Sequence, residues 1–523
     1  MSGPHGVVVS PADAAALVHS GDTIATSGFV GIGTPDELLQ AIADRYATTG
    51  EPAGLGLVFA AGQGDGKHQG LNRLAAPGLL RRIVGGHWGL IPALAERALA
   101  GELEAWNLPQ GVISHLYRDI AAGRPGAVSR IGLHTFVDPR QDGGRVNDVS
   151  PDAMVELVEL AGQELLFYRS FPIHVALLRG TTADTLGNVS MEREALTLDN
   201  LAMAMAARNS GGTVIVQVER IAEAGSLPPR SVTLPKVLVD AVVVAEPEHH
   251  LQTYATPYSQ AYAHEVRLPL DDLPQMPLTA RKVVARRAAF ELPVDGVVNL
   301  GIGMPEGVAS VAAEERVLDR VTLTAEPGVI GGIPASGMDF GAAVNPDAII
   351  DQNQQFDFYD GGGLDLACLG MAELDRLGNV NVSRFGSRLA GAGGFINISQ
   401  SARTVVFTGT FTAGGLDVAV GDGRLTIRTE GRSRKLREAV EQITFNGRYA
   451  AARGQRVLYV TERAVFEASE QGLRLTEVAP GVDVERDVLA QMEFEPLVDG
   501  EPALMDPRLF AAGPMGLAAS LGL

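Results

Sequence analysis

Asp22-Thr-Ile-Ala-Thr-Ser-Gly28-Phe-Val-Gly31-Ile-Gly33-Thr34-Pro35 reads as a strand that runs into a glycine turn and then a helix. Pro35 suits the first helical position. Leu38, Leu39, Ile42 and Ala43 then mark one apolar helix face. Strand, glycine turn and helix in succession are the signature of an α/β fold. Val7-Val-Val before this stretch reads as a short strand, and Ser10-Pro-Ala-Asp as a helix start. Gly54-Leu-Gly-Leu-Val-Phe-Ala-Ala61 after it reads as the next strand. Further on come His174-Val-Ala-Leu-Leu, Gly212-Thr-Val-Ile-Val-Gln and Val237-Leu-Val-Asp-Ala-Val-Val-Val. These runs are apolar without clean alternation, as expected for parallel strands buried on both faces.

The second half of the chain repeats the first. Gly31-Ile-Gly33-Thr-Pro35 has its counterpart in Gly301-Ile-Gly303-Met-Pro305, 270 positions later. Asp184-Thr-Leu-Gly187-Asn188-Val matches Asp375-Arg-Leu-Gly378-Asn379-Val, 191 positions later, and Thr213-Val-Ile-Val matches Thr404-Val-Val-Phe. Three matches in the same order imply two related α/β domains. The change in offset places a long extra segment of the first half within 68–170. The proline-rich, acidic run 268–277 is the candidate boundary, giving an N-terminal domain 1–270 and a C-terminal domain 278–523. By the same order, the strand ending Phe59-Ala-Ala61-Gly62 pairs with the one ending Thr324-Ala-Glu326-Pro327. On that pairing only the second half carries a carboxylate.

That second strand is Arg320-Val-Thr-Leu-Thr-Ala-Glu326-Pro327-Gly328-Val-Ile-Gly331-Gly332. Val321, Leu323 and Ala325 alternate with Thr322 and Thr324, which puts Glu326 on the threonine, polar side. Pro327 keeps the residue before it extended, and the glycines let other backbone approach. A carboxylate at a strand tip is a candidate nucleophile, and a surface loop glutamate is the competing reading. Gly391-Ala392-Gly393-Gly394-Phe395 is a second glycine turn, before a helix-like Ile396-Asn-Ile-Ser-Gln. Its consecutive amides could serve an oxyanion, or the turn could simply be tight packing. Gly85-Gly86-His87-Trp88-Gly89 and Asn107-Leu-Pro-Gln110-Gly111 read as loops, either turns or substrate walls.

Composition limits the alternatives. The chain has 523 residues, 46% hydrophobic and 20% charged, with a net charge of −20. That is a core-forming composition and a poor nucleic-acid binder, since phosphate contacts need clustered Lys and Arg. The single cysteine, Cys368, rules out an internal disulfide and a cysteine metal cluster, and its apolar context makes it a buried structural thiol. Gly62-Gln-Gly64-Asp-Gly66-Lys67 only approaches a P-loop, lacking the first glycine and carrying His68 for Ser or Thr. No Gly-x-Ser-x-Gly or His-Glu-x-x-His occurs, and the neighbours His249 and His250 point apart, so no metal site is expected. Met1-Ser-Gly-Pro-His-Gly lacks a signal-peptide pattern, and no apolar run approaches the ~18 residues of a membrane span, so a cytoplasmic protein is expected.

Thr324-Ala-Glu326-Pro-Gly-Val-Ile-Gly-Gly resembles the active-site segment of the family I CoA-transferases, in the Glu-Pro-Gly form of the acetate and propionate branch. The resemblance extends over nearly the whole chain. It includes Gly85-Gly-His-Trp-Gly, Trp106-Asn-Leu-Pro-Gln-Gly-Val, His115-Leu-Tyr-Arg-Asp-Ile, Thr135-Phe-Val-Asp-Pro-Arg140, Asn299-Leu-Gly-Ile-Gly-Met-Pro, Gly391-Ala-Gly-Gly-Phe and Thr461-Glu-Arg-Ala-Val-Phe. It implies two tandem related open α/β domains with mostly parallel sheets, Glu326 as nucleophile, Gly393 and Gly394 in the oxyanion turn, and Gln110 beside the acyl group. Gly28, Gly31, Asn299, Gly301, Gly303 and Gly391 are the accompanying candidates for substrate binding. The oxoacid branch has a lysine in the segment matching 349–355. This chain reads Ile-Ile-Asp-Gln-Asn-Gln-Gln there, so no basic CoA contact carries over. Coenzyme A, as acyl-CoA, is the implied substrate, with small carboxylic acids as partners, no metal, and a homotetramer as the usual assembly. The implied activity moves CoA between a short-chain acyl-CoA and a free acid through a glutamyl-CoA thioester. An acyl-CoA hydrolase on the same scaffold and a non-catalytic acyl-CoA or sugar-phosphate sensor are the alternatives.

Overall fold

A computed structural model describes residues 7–150, 154–269 and 275–523. The chain forms two compact units. One comprises 1–268, 326–357 and 385–397; the other comprises 269–325, 358–384 and 398–523. Segments 326–357 and 385–397, although C-terminal to the expected boundary, thus pack with the first unit. Part of that boundary, 270–274, lies outside the described residues.

The first unit is built on β1 (Thr23–Thr26), α1 (Asp36–Thr49), β2 (Leu55–Phe59), β3 (Leu80–Gly85), β4 (Glu104–Asn107), α2 (Gln110–Ala121), β5 (Val175–Arg179), α3 (Asn200–Asn209), β6 (Thr213–Val218) and β7 (Ala241–Val244). Its seven strands form one sheet in the order β7-β6-β5-β1-β2-β3-β4, every neighbouring pair parallel. β2 and β5 are buried along their whole length, as both-face burial requires. Ile24, Leu57, Leu177 and Ile215 from the sheet share one core with Leu38, Leu39 and Ile42 of α1. The strand order reverses between β1 and β5, so the Gly28–Gly33 turn leaves the sheet at a topological switch point, where α/β folds open a crevice for ligands.

The second unit has β8 (Gly296–Leu300), α4 (Glu306–Glu314), β9 (Val321–Ala325), β10 (Leu366–Gly370), β11 (Thr404–Thr408), β12 (Arg456–Val460), β13 (Ala464–Ser469) and β14 (Gly472–Val478). The order β9-β8-β10-β11-β12 is parallel throughout, and β13 and β14 add antiparallel strands beyond β12. This parallel series repeats β2-β1-β5-β6-β7 of the first unit.

The repeat extends to atomic detail. Asp184 Oδ1 accepts from the Leu186 and Asn188 amides while Oδ2 accepts from Asn188 Nδ2. Asp375 does the same with Leu377 and Asn379. Ile24 pairs with Leu57 and Val175, and Val298 pairs with Leu323 and Leu366. Leu57 therefore corresponds to Leu323, and Ala60 to Glu326. The pairing of strand ends read from the sequence is one residue out, because the ladder and not the order of motifs sets register. The extra segment of the first half supplies β3, β4 and α2, then an antiparallel sheet of Gly126–Ser129, Val155–Leu160 and Gln163–Arg169.

Several local expectations are corrected. Pro35 occupies the cap position before α1 and not its first turn. Val7-Val-Val makes only an isolated bridge at Val8. Val237-Leu-Val-Asp precedes β7 as a turn, leaving the strand to begin at Ala241. Gln110 and Gly111 open α2 and are not loop. The threonine, polar side of β9 is buried at its end. Thr324 is buried, with its hydroxyl donating to the Val298 carbonyl and accepting from Tyr359.

Candidate active site

Glu326 follows β9 directly and is half-buried at the start of a turn, where it interacts with its surroundings. The turn is clamped at Gly328. The Ile350 amide donates to the Gly328 carbonyl at 2.9 Å. Gly328 has φ +121°, and a Cβ there would run into the Ile350 carbonyl oxygen. Val329 and Ile330 continue the clamp by pairing antiparallel with Ile349 and Ala348. The backbone that the glycines admit is thus residues 348–350, which lead straight into α5 (Gln352–Asp360).

The first residues of α5 join a buried polar network. Gln110 Nε2 donates to Gln352 Oε1 at 3.0 Å. Gln352 Nε2 donates to Ser114 Oγ at 2.8 Å and to Asp199 Oδ2 at 2.7 Å. Ser114 Oγ also donates to Asp199 Oδ2, and the Asn353 amide and Nδ2 donate to Asp199 Oδ1. Gln110, Ser114, Asp199, Gln352 and Asn353 are all buried. Burial, aided by the nearby Asp351, pushes the Asp199 carboxyl up to about 6 against the lowering effect of these bonds.

Gln110 also holds the second glycine turn. Its amide donates to the Gly393 carbonyl at 3.0 Å, and a Cβ built on Gly393 would sit 3.7 Å from Gln110 Oε1. The Gly393 N–H is spent on the Gly86 carbonyl at 2.8 Å, and the Ala392 N–H on Asn107 Oδ1 at 3.0 Å. The adjacent Gly394 N–H donates to no described residue. Gly391, at φ +79°, bridges His87, and a Cβ there would be 2.8 Å from Trp88 Cδ1. Only glycine allows the two segments to meet so closely. The His87 imidazole is 3.6 Å from the same Gly393 Cβ position. Burial and Arg388 lower its pKa to about 4, so it is a neutral ring at physiological pH. Asn397, on α6 (Phe395–Ser401), accepts from the Gly111 amide through Oδ1.

The first unit therefore gathers Gln110, Gly391, Gly393, Gly394 and, through the Gly328–Ile350 clamp, the turn of Glu326. Gly28 and Gly31 are in the same unit but in close packing turns. A Cβ at Gly28 would be 2.5 Å from Thr34 Oγ1, and one at Gly31 would be 2.6 Å from the Tyr254 ring. In the second unit, Asn299 is buried one residue before the end of β8, with Nδ2 on the Thr324 carbonyl and Tyr359 hydroxyl and with Oδ1 unpartnered among the described residues. The Gly301 amide donates to the Cys368 carbonyl, and the space beside Gly303 is open. α4 begins with its own carboxylate, Glu306, paired with Arg281. A carboxylate at this end complements the positive pole of the helix dipole.

His87, Asn107, Asp199, Gln352 and Asn397 join this cluster; of these the sequence reading placed only His87 and Asn107 near a substrate, inside stretches offered as turns or substrate walls. A half-buried carboxylate on a glycine-clamped turn, a second glycine turn with one uncommitted N–H and a neutral imidazole are compatible with acyl transfer. Among the described residues no group of His, Cys, Asp and Glu could hold a metal ion. No helix among them is long and apolar enough to cross a membrane.

Comparison with known proteins agrees with this chemistry. The family model described as Coenzyme A transferase matches residues 8–245. The chain is 46% identical to caffeate CoA-transferase of Acetobacterium woodii, covering 98% of this chain and 99% of the relative. It is 43% identical to the acetate CoA-transferase YdiF of Escherichia coli strain K12, covering 92% and 90%. The crystal structure of acyl-CoA transferase YdiF from Escherichia coli O157:H7 as apoenzyme superposes with TM-score 0.93 at 41% identity, covering 98% and 97%. Its thioester complex with CoA superposes with TM-score 0.91.

Proposed function

The chain belongs to family I of the CoA-transferases, and from that premise we propose that it moves CoA between a short-chain acyl-CoA and a free carboxylic acid through Glu326. The observation that carries the proposal is the clamp from Gly328 to Ile350 and on through Gln352 to Gln110, which ties the turn of Glu326 to the glycine turn at Gly393.

In this reading a Glu326 carboxylate oxygen attacks the acyl-CoA carbonyl carbon. CoA leaves as thiolate and an acyl–glutamyl anhydride remains. The thiolate then attacks the Glu326 Cδ, and the acyl group departs as a free carboxylate, leaving a glutamyl-CoA thioester. An acceptor acid runs both steps in reverse. One thioester is broken and one is made, so no external energy input is needed. Each addition puts charge on a carbonyl oxygen, where a preset donor lowers the barrier. Within the oxyanion turn the Gly394 N–H is the donor we assign to that task, with Gly393 fixing the turn. Gln110 lies beside the acyl group. His87 is assigned no proton transfer, because the route needs none. The anhydride must be shielded from water, and burial of the turn serves that need.

The acid itself is left open by the family. One relative is named for acetate, a short monocarboxylate, and another for caffeate, an aromatic acid. We take the short acids as the first choice. The functional division at 270–278, a cytoplasmic location and a homotetramer are proposed with it on family grounds, and light scattering reads the last. Incubation with acyl-CoA and no acceptor should leave CoA on the peptide containing Glu326, seen by mass spectrometry. An adduct on any other residue sinks the mechanism. Rates with acetate, propionate, butyrate and caffeate then rank the acceptors, and steady release of free acid without an acceptor would identify a hydrolase instead.

A further inference from the structure

We propose that Asp199 is a positioning residue for the transfer: acting through Gln352, it decides which end of the Gln110 amide faces the Gly391–Gly394 turn. The proposal rests on the reading of Gln110 as the neighbour of the acyl group.

Asp199 immediately precedes α3, where an aspartate ordinarily accepts from first-turn amides, yet its side chain caps nothing there. It reaches instead to α2 and α5. Ser114 Oγ and Gln352 Nε2 donate to Oδ2, both at 2.7 Å. The Asn353 amide at 3.1 Å and Asn353 Nδ2 at 3.0 Å donate to Oδ1. An ionised carboxylate only accepts. Gln352 must therefore turn its NH2 to Asp199 and its carbonyl to Gln110. Facing a carbonyl, Gln110 must turn Nε2 to Gln352, which leaves Oε1 toward Gly393. Polarity is thus handed from one carboxylate through two amides, neither of which can flip while the carboxylate is charged.

Asp199→Asn reverses the relay. The Asn353 backbone N–H cannot turn, so the new amide keeps its oxygen there and presents NH2 to Gln352. Gln352 must then flip, and Gln110 after it, bringing Nε2 in place of Oε1 toward Gly393. Protonation acts in the same direction, since it converts an acceptor into a donor. The groups bearing electrostatically on Asp199 are Asp351, which raises its pKa, and the buried Tyr117 phenol, with Ser114, Gln352 and Asn353 opposing. With the carboxyl pushed up to about 6, the anion and its orientation are lost as pH falls through that value.

The test compares the full-length wild type with Asp199→Asn, Gln110→Met, the double variant and Gln352→Met, which cuts the relay without touching the carboxylate. Transfer is measured from pH 5 to 8, alongside the CoA adduct on Glu326. The expected result is a kcat lower by about tenfold for Asp199→Asn at pH 7.5, one hydrogen bond's worth, with KM for acyl-CoA little changed. The acid limb near pH 6 should vanish in that variant, and Gln352→Met should match its loss. In the Gln110→Met background, Asp199→Asn should cost nothing more. An equal loss in both backgrounds, or an acid limb that persists in Asp199→Asn, would overturn the proposal and leave Asp199 a purely structural group. The wild-type adduct reports on Glu326 separately. Its absence would overturn the nucleophile, while the double-variant comparison would still decide for or against Asp199.

Discussion

Glu326 stands one residue beyond a strand whose last three residues are buried, so its backbone position is set by the sheet before it and by the Gly328 clamp after it. A side chain so placed has little freedom to compensate for a change in length. Glu326→Asp withdraws the carboxylate by one methylene, roughly 1.5 Å, and a misplacement of ~1 Å can cost ~100-fold in rate. Transfer in Glu326→Asp should fall at least that far, and in Glu326→Ala should vanish, with acyl-CoA binding retained by both in a calorimetric titration. Full turnover by Glu326→Ala would move the nucleophile elsewhere. Cys368 is a second residue whose fate is decided by burial, which pushes its thiol up to about 12. It carries almost no thiolate at pH 8. Iodoacetamide at that pH should leave both the folded enzyme's mass and its activity unchanged, and rapid labelling would contradict this burial. His87 titrates in the opposite sense. Its pKa drops from 6.5 to about 4 on folding, so in the window between those values the unfolded chain holds a proton that the folded chain refuses. Stability is then lost as pH falls from 6.5 toward 4. His87→Gln should lose less stability than the wild type between pH 7 and pH 4.5 in urea unfolding, and parallel losses would remove His87 from the account.

At the scale of the element, the clamp is the part that a single methyl can break. Gly328→Ala places a Cβ against the Ile350 carbonyl at a φ of +121°, a conformation that costs of order 1–3 kcal/mol for other residues even without the clash. The expected outcome is a lower urea midpoint together with a transfer rate that drops more than the fold does, since Glu326 and Gln352 each lie two residues from the broken contact. A variant with wild-type midpoint and rate would show that the turn tolerates the methyl and that the clamp does not position Glu326. The two turns themselves were legible in the sequence, because glycine clusters after apolar strand-length runs are a local signal. So were the parallel strands and the Asp184 and Asp375 repeats, whose side chains bond to their own following residues. The network that orients Gln110 was not legible. Its members at 110, 114, 199, 352 and 353 meet only through tertiary packing. Asp199 stands at the cap position of α3, and nothing local marks it or the Gln-Asn-Gln-Gln run as partners of Gln110. Thr324 misled for the same reason. Its hydroxyl is satisfied by Val298 and Tyr359, so a polar side of a strand came to be buried.

Across the whole molecule the duplication is architectural and not chemical. The ladders that align Leu57 with Leu323 put Ala60 at the position of Glu326, so the first half has the strand and turn but no carboxylate at its tip. A chain with two related sheets should therefore form one covalent adduct and not two. Intact mass spectrometry after incubation with excess acyl-CoA should show a gain of a single CoA per chain, less the water lost in forming the thioester. Two additions would mean that the halves are chemically equivalent and that the register argument fails. One adduct has a kinetic consequence. If the sole carboxylate keeps CoA between the half-reactions, the first acid must leave before the acceptor acid is consumed, and the two acids never need to be bound together. Initial rates at several fixed acceptor concentrations should then give parallel double-reciprocal lines, and acyl-CoA with labelled acid of the same kind should exchange label with no second acceptor present. Intersecting lines would require a ternary complex. Such a result, even with the fold and the Glu326 turn as they stand, would mean that CoA passes directly from one acid to the other and that the glutamyl thioester lies off the path.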